Sequence, residues 1–463
     1  MLFNSSSFLI FIVVFISIYF TYGRNTISRR NLFIVIGSYI FYSFWDWRFT
    51  FLLFGSSFID FKIGCLLQKE KVQSNRKKFV LISIISNLGI LFLFKYFNFF
   101  SDSLNILLLN IGADQFLPHT KVILPVGISF YTFQSLGYTI DVYRKKIYCV
   151  NKLIPFLAYV SFFPQLVAGP IERSSNLMPQ FLSDRIINNK NIKLGFNLIV
   201  LGLFKKIVIA DSLSPLVDMV YSQSNNSGPI ILLATLAFGI QIYCDFSGYS
   251  DIARGIAYIL GFKLMVNFNL PYFATTPKEF WRRWHISLST WFRDYVYIPL
   301  GGNKCSKWRT IRNLLLTMGL AGIWHGAGWN FVLWGLWHGL MLSIFVNFKP
   351  IGLLSKTIGW LLTMVIVFYG WLLFRCNSIE QVNDYTLNIW SADFPVWFSD
   401  YLIVLLIYGS VFFLLQLWKK ISCELCPPAN LNTILNTAVL GIEIFLIALF
   451  WDSNGTQFIY FQF

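Results

Sequence analysis

Only four histidines occur in the 463 residues, and two of them lie where an imidazole could move a proton. His325 sits in GIWHGAGW, residues 322–329, inside a long apolar stretch. Residues 313–324, twelve in all, separate it from Arg312, the nearest preceding cation. At ~1.5 Å per helical residue that is roughly 18 Å, short of a ~30 Å hydrocarbon core. His325 is therefore expected near mid-membrane, at the tip of a helical hairpin over 313–347. An ionisable group at that depth is expensive and is a functional hypothesis by default. Imidazole takes and returns a proton near neutral pH. Acyl transfer to a hydroxyl needs that, because the hydroxyl must lose its proton as the acyl carbon is attacked. The bland alternative is a neutral His bridging two helices, and the residues alone leave the two readings equal.

His285 lies in EFWRRWHISLSTWFRDYVYIPLGGNK, residues 279–304. Trp281, Trp284 and Trp291 form an aromatic belt around it. Arg282, Arg283 and Arg293 could hold an anionic group such as the phosphates of coenzyme A, since guanidinium binds phosphate bidentately. The alternative is an interfacial helix whose arginines meet lipid headgroups. Asp294, Trp324 and Trp329 join Trp281, Arg282, Arg283 and Trp284 as the candidate substrate-binding set. His119 follows Pro118 in an external loop and reads as a surface residue. His338, inside an apolar helix, reads as a buried, hydrogen-bonded His. Cys423 and Cys426 make a lone CxxC with no second pair, so no metal site is expected. The chain has no GxxxxGK[ST] loop, no GxSxG elbow and no HExxH.

The elements that must position these groups are membrane helices. Hydrophobic residues reach 56% and charged ones only 13%, against about a quarter charged in soluble chains. The net charge of +16 does not indicate nucleic acid: the Lys and Arg cluster between apolar runs, as the positive-inside rule describes. Spans are expected at 7–22, 31–45, 49–67, 79–100, 122–143, 194–213, 230–260, 357–374, 401–418 and 433–451. The first lacks a basic n-region and a cleavage site, so it reads as a retained span. Cations follow the first, third and fifth spans, which puts the N-terminus outside the cytoplasm. Segment 153–170 is apolar, has basic flanks and carries Pro155, Pro164 and Pro170, so a re-entrant element is expected there. Gly322 with Gly326, and Gly335 with Gly339, form GxxxG pairs that let helices approach closely. Loop 263–312 holds nine basic residues against Glu279 and Asp294 and should face the cytoplasm. No polar linker divides the chain, so one membrane domain over 1–463 is expected. A transporter would also suit the broken segments, but no internal repeat is visible.

Several ordered blocks resemble the membrane-bound O-acyltransferase family, and more closely its bacterial branch that O-acetylates alginate and peptidoglycan. They are FKYFNFF at 94–100, LPVGISFYTFQSLGYTIDVYR at 124–144, FFPQLVAGPIER at 162–173, KKIVIADSL at 205–213 and CDFSGYSDIARGIAYILGF at 244–262. NFNLPY at 267–272, the WRRWHISLS block, GIWHGAGWNFVLWGLWHG and the terminal FIYFQF complete the set. The resemblance implies an all-α polytopic transmembrane bundle with re-entrant segments and a central funnel or tunnel. It implies that His325 is the intramembrane catalytic His and His285 the second family histidine. It further implies an O-acetyltransferase of the cell inner membrane that takes acetyl groups from a cytoplasmic donor, acetyl-CoA, to an extracytoplasmic polysaccharide. An extracytoplasmic SGNH-type partner would complete the transfer. No cofactor is expected. D-alanyl transfer to teichoic acid, by a related branch, ranks lower because YIPLGGNK at 297–304 resembles the polysaccharide acetylases. Acylation of a lipid or protein is a further alternative. The charge asymmetry predicts that single cysteines introduced at Lys77 or Lys307 resist a membrane-impermeant thiol reagent in intact cells; external labelling at either would invert the topology.

Overall fold

The computed structural model describes residues 1–22, 26–113, 117–421, 433–452 and 457–459, so Cys423 and Cys426 lie outside the described residues. The fold is all-α, with no strand among the described residues, and a helix occupies all or most of each of the ten expected spans. Two compact units emerge: Met1–Asn188 with Leu260–Leu264, and Asn189–Ile259 with Met265–Phe463.

The first unit runs α1 (Ser6–Tyr22), α2 (Ile27–Ser43), α3 (Arg48–Lys69), α4 (Gln73–Leu91), α5 (Phe97–Asn110), α6 (Ile128–Tyr143), α7 (Leu153–Ser161), α8 (Phe163–Leu166) and α9 (Ser174–Leu182). Several polar residues of its helices, Asn31, Asp60, Ser83 and Asn87 among them, are buried, because lipid offers them no partner. Asp60 of α3 accepts from Ser83 Oγ at 2.5 Å and Asn87 Nδ2 at 2.8 Å on α4. Arg76 bonds the carbonyls of Leu67 and Tyr143, closing the ends of α3 and α6 with one side chain. The fifth expected span, 122–143, becomes helical only from Ile128. Pro125 and Gly127 precede it, and Gly127 has φ +74° with its Cα against the Leu166 carbonyl, where a Cβ would lie 2.6 Å from the oxygen. The proline-bearing segment 153–170 breaks at Phe162 into α7 and α8. Nine residues of α7 extend only ~14 Å, too short to cross a bilayer.

The second unit runs α10 (Asn189–Leu203), α11 (Asp211–Tyr221), α12 (Gly228–Ile259), α13 (Pro277–Arg283), α14 (Ile286–Phe292), α15 (Lys307–His325), α16 (Trp329–Ile344), α17 (Leu353–Arg375), α18 (Ile379–Asn388), α19 (Phe398–Ile421) and α20 (Thr433–Phe450). A π-helical segment, Phe204–Ala210, joins α10 to α11, and all seven of its residues are buried. α12 is almost wholly buried. It crosses α10 backbone to backbone: a Cβ on Gly195 would lie 2.5 Å from the Gly255 carbonyl oxygen, and one on Gly202 2.5 Å from that of Gly248. Each glycine of both pairs would meet its opposite in the same way. α15 and α16 form the expected hairpin, turning at Gly326–Gly328.

Overpacking a tight interface costs about 1–3 kcal/mol or more. Gly202→Leu and Gly248→Leu should therefore sharply lower the yield of monodisperse protein in detergent. Gly55→Leu, where a Cβ meets nothing within 4 Å, should leave the yield unchanged. Size-exclusion profiles of the three variants check this; equal yields would contradict the packing.

Candidate active site

The hairpin sets the first histidine. A Cβ on Gly322 would overlap the Phe331 carbonyl, and one on Gly335 the Met318 carbonyl, so the two helices touch where their side chains are missing. α15 ends at His325 because Gly326 and Gly328 take extended backbone, with φ of −156° and −159°. His325 is 3% exposed. Its ring meets Trp324 at 5.0 Å, Trp334 at 4.9 Å and Phe374 at 5.4 Å, each near perpendicular.

The second histidine comes from the loop after α12. His285 is the residue before α14 and holds a left-handed φ of +41°. It is wholly buried, against Phe246 of α12 at 4.6 Å and Trp324 at 5.9 Å. The His285 and His325 ring centroids lie 6.4 Å apart. Two imidazoles from different elements thus share one buried, aromatic enclosure. Burial pushes the His285 imidazole down to about 3, so the ring is neutral at physiological pH.

The other expected residues divide. Trp281 packs on Trp334 at 5.6 Å and on His338 at 5.1 Å, and His338 itself contacts Trp334 at 5.1 Å. His338 is 1% exposed, with Gly370 leaving room for its Nε2. Trp284 belongs to the packed core, on Trp371 at 4.7 Å and Phe268 at 5.0 Å. Arg283 is held locally: it pairs with Glu279 at 2.7 Å and reaches the Leu270 carbonyl at 3.4 Å. Arg282 is exposed, and Arg293 pairs with Asp294 at 2.7 Å on a mostly exposed stretch. Trp329, across the hairpin turn from Trp324, is 49% exposed. Trp324 and the two catalytic candidates are therefore brought together, with Trp281 one ring further out beyond Trp334, while Asp294, Trp329 and Arg282 stand at accessible positions.

The structure adds residues that the sequence reading did not single out. Trp334, Phe374, Phe246 and Asn267 all touch one histidine or the other. Behind Phe246, α12 carries a buried charge network. Lys206 pairs with Asp245 at 2.9 Å and Asp211 at 2.8 Å, and Lys205 pairs with Asp251 at 2.6 Å. Asp245 also accepts the backbone N–H of Ile459 at 2.7 Å. Asn267, in NFNLPY with a second Asn at 269, carried no signal that singled it out.

The model for the membrane-bound O-acyltransferase family matches residues 150–381, which include both histidines. The chain is similar to the probable alginate O-acetylase AlgI of Pseudomonas aeruginosa, 41% identical over 386 residues that cover 82% of this chain and 73% of the relative. It is similar to the peptidoglycan O-acetyltransferase of Helicobacter pylori, 33% identical, covering 78% and 73%. The teichoic acid D-alanyltransferase of Streptococcus thermophilus is 34% identical over 47% of this chain.

Truncating a buried aromatic leaves a cavity worth about 3–5 kcal/mol. Trp334→Ala should lower the thermal midpoint in detergent by several degrees, and Trp329→Ala should leave it within experimental error. Equal shifts would show that the enclosure around His325 is not packed as described.

Proposed function

We propose, from the premise that this chain belongs to the membrane-bound O-acyltransferase family, that it acetylates an extracytoplasmic polysaccharide. It is an integral membrane O-acyltransferase. The finer reading places it in the cytoplasmic (inner) membrane, with acetyl-CoA as the cytoplasmic donor. The acceptor polysaccharide is of the alginate, peptidoglycan or related class, which the names of the more extensively aligned relatives favour. Teichoic acid D-alanylation is less favoured, since that relative aligns over about half of the chain. In this reading an extracytoplasmic SGNH-type partner receives the acetyl group and completes transfer to the sugar.

The observation that carries the reading is the pairing of His285 and His325, 6.4 Å apart in a buried aromatic enclosure. His325 removes the proton of the attacking hydroxyl. The oxygen then adds to the thioester carbon, the C–S bond breaks, and the thiolate takes the proton back from the imidazolium. His285, held neutral, orients the reacting group by accepting a hydrogen bond. The enclosing rings limit water, which would otherwise hydrolyse the thioester. Arg282, exposed on the polar loop, is available to the donor phosphates.

The test separates catalysis from packing. His325→Ala and His325→Gln should both accumulate in the membrane and both lose polysaccharide O-acetylation by about 10²–10⁴-fold, the usual weight of a general acid–base group. Gln keeps size and hydrogen bonding but cannot shuttle a proton. Near-normal O-acetate per unit of membrane protein in the Gln variant would refute the role.

A further inference from the structure

We infer that Asn267 is a positioning residue that fixes the tautomer of His285, placing the proton on Nδ1 and the lone pair on Nε2. The inference rests on the reading that His285 serves the transfer.

The geometry begins with which atom of the Asn267 amide faces the histidine. The backbone N–H of Ser287 lies 3.1 Å from Asn267 Oδ1, and the Ser287 hydroxyl donates to the same atom at 2.9 Å. A backbone N–H can only donate, so the atom facing it is the carbonyl oxygen and not the amide nitrogen. That same oxygen lies 3.2 Å from His285 Nδ1. An oxygen with no proton of its own requires Nδ1 to donate. A neutral imidazole with its proton on Nδ1 has its lone pair on Nε2. The Ser287 hydroxyl, its proton already committed to Asn267, also lies 3.4 Å from Nδ1 and can only reinforce this choice.

Asn267 holds the backbone as well. Its main-chain carbonyl accepts the Ile286 N–H at 2.9 Å. Its side-chain and main-chain oxygens therefore grip the peptide units just after His285, the one histidine with a positive φ. Its amide nitrogen reaches Ser250 Oγ on α12 at 3.5 Å. An αL backbone at a non-glycine residue costs free energy and persists only when its surroundings over-determine it.

An amide carbonyl orients the ring without adding charge. A carboxylate in its place would stabilise the imidazolium, typically by one to three pKa units. The groups facing His285 are Phe246 from α12, Asn267 and Phe268 from its own loop, Ser287 from α14, and Trp324 and His325 from α15. His325 is the titratable one among them. The α12 carboxylates Asp245 and Asp251 are matched by Lys206 and Lys205. A ring kept neutral, with its basic nitrogen defined, serves as a hydrogen-bond acceptor in the site.

Three variants and one spectrum test this. Asn267→Asp keeps both grips on residues 285–287 and adds a charge. It should retain turnover within about tenfold, and the His285 ring, followed by nitrogen NMR, should protonate at higher pH than in the wild type, because the carboxylate stabilises its imidazolium. Asn267→Leu should lose turnover to the extent that His285→Ala does. With only four histidines in the chain, nitrogen NMR of the histidine-labelled protein should show one neutral ring, absent in His285→Ala, whose unprotonated nitrogen is Nε2. An Asn267→Asp variant whose His285 ring protonates at the wild-type pH, an Asn267→Leu variant with wild-type turnover, or a His285 ring protonated on Nε2 would each overturn the assignment. Wild-type turnover in His285→Ala would instead overturn the underlying reading, and the assignment with it.

Discussion

The second unit depends on helix backbones touching without side chains between them. In lipid, apolar side chains gain little by leaving one hydrocarbon for another, so association rests on close packing. Gly322 and Gly335 supply it within the α15–α16 hairpin, and Gly195, Gly202, Gly248 and Gly255 supply it between α10 and α12. The first contact places His325 at a hairpin tip, and the second holds α12 as the wall that carries Phe246 to His285. A larger residue at these glycines would move a histidine as surely as a substitution beside it.

A neutral imidazole buried among aromatic rings costs free energy unless its polar atoms are satisfied. That cost is offset at His285 by Asn267 and Ser287, which come from the loop and from the first turn of α14. The same low-polarity setting strengthens hydrogen bonds made by a reacting group, since water does not compete. Chemistry and burial are therefore two consequences of one arrangement.

Much of this was legible in the residues. Apolar length located helices at the ten expected positions, the twelve residues between Arg312 and His325 predicted a hairpin tip, and the prolines of 153–170 predicted a broken element. Other features were hidden by the kind of information a one-dimensional pattern carries. The start of α6 moved from 122 to 128 because Gly127 must approach the Leu166 backbone, a contact between distant segments. Trp284 reads as a binding residue from its belt of neighbours, yet its partner Trp371 lies in α17 and makes it core. Arg283 looked available for a phosphate, but Glu279 one turn earlier holds it. Asn267 stands out only once Ser287 and His285 are folded onto it.

The π-helical segment Phe204–Ala210 bears on how this protein can change over time. A π turn holds one more residue than the α turn it interrupts, and such turns are rare and short. Deleting a single residue here would restore regular α winding and turn the residues within the segment relative to α12. Lys205 and Lys206, which now face Asp251 and Asp245, would lose that alignment together. Descendants of this chain should therefore accept changes of side chain along 204–210 far more readily than insertions or deletions. The segment works as a ruler whose length matters more than its individual letters.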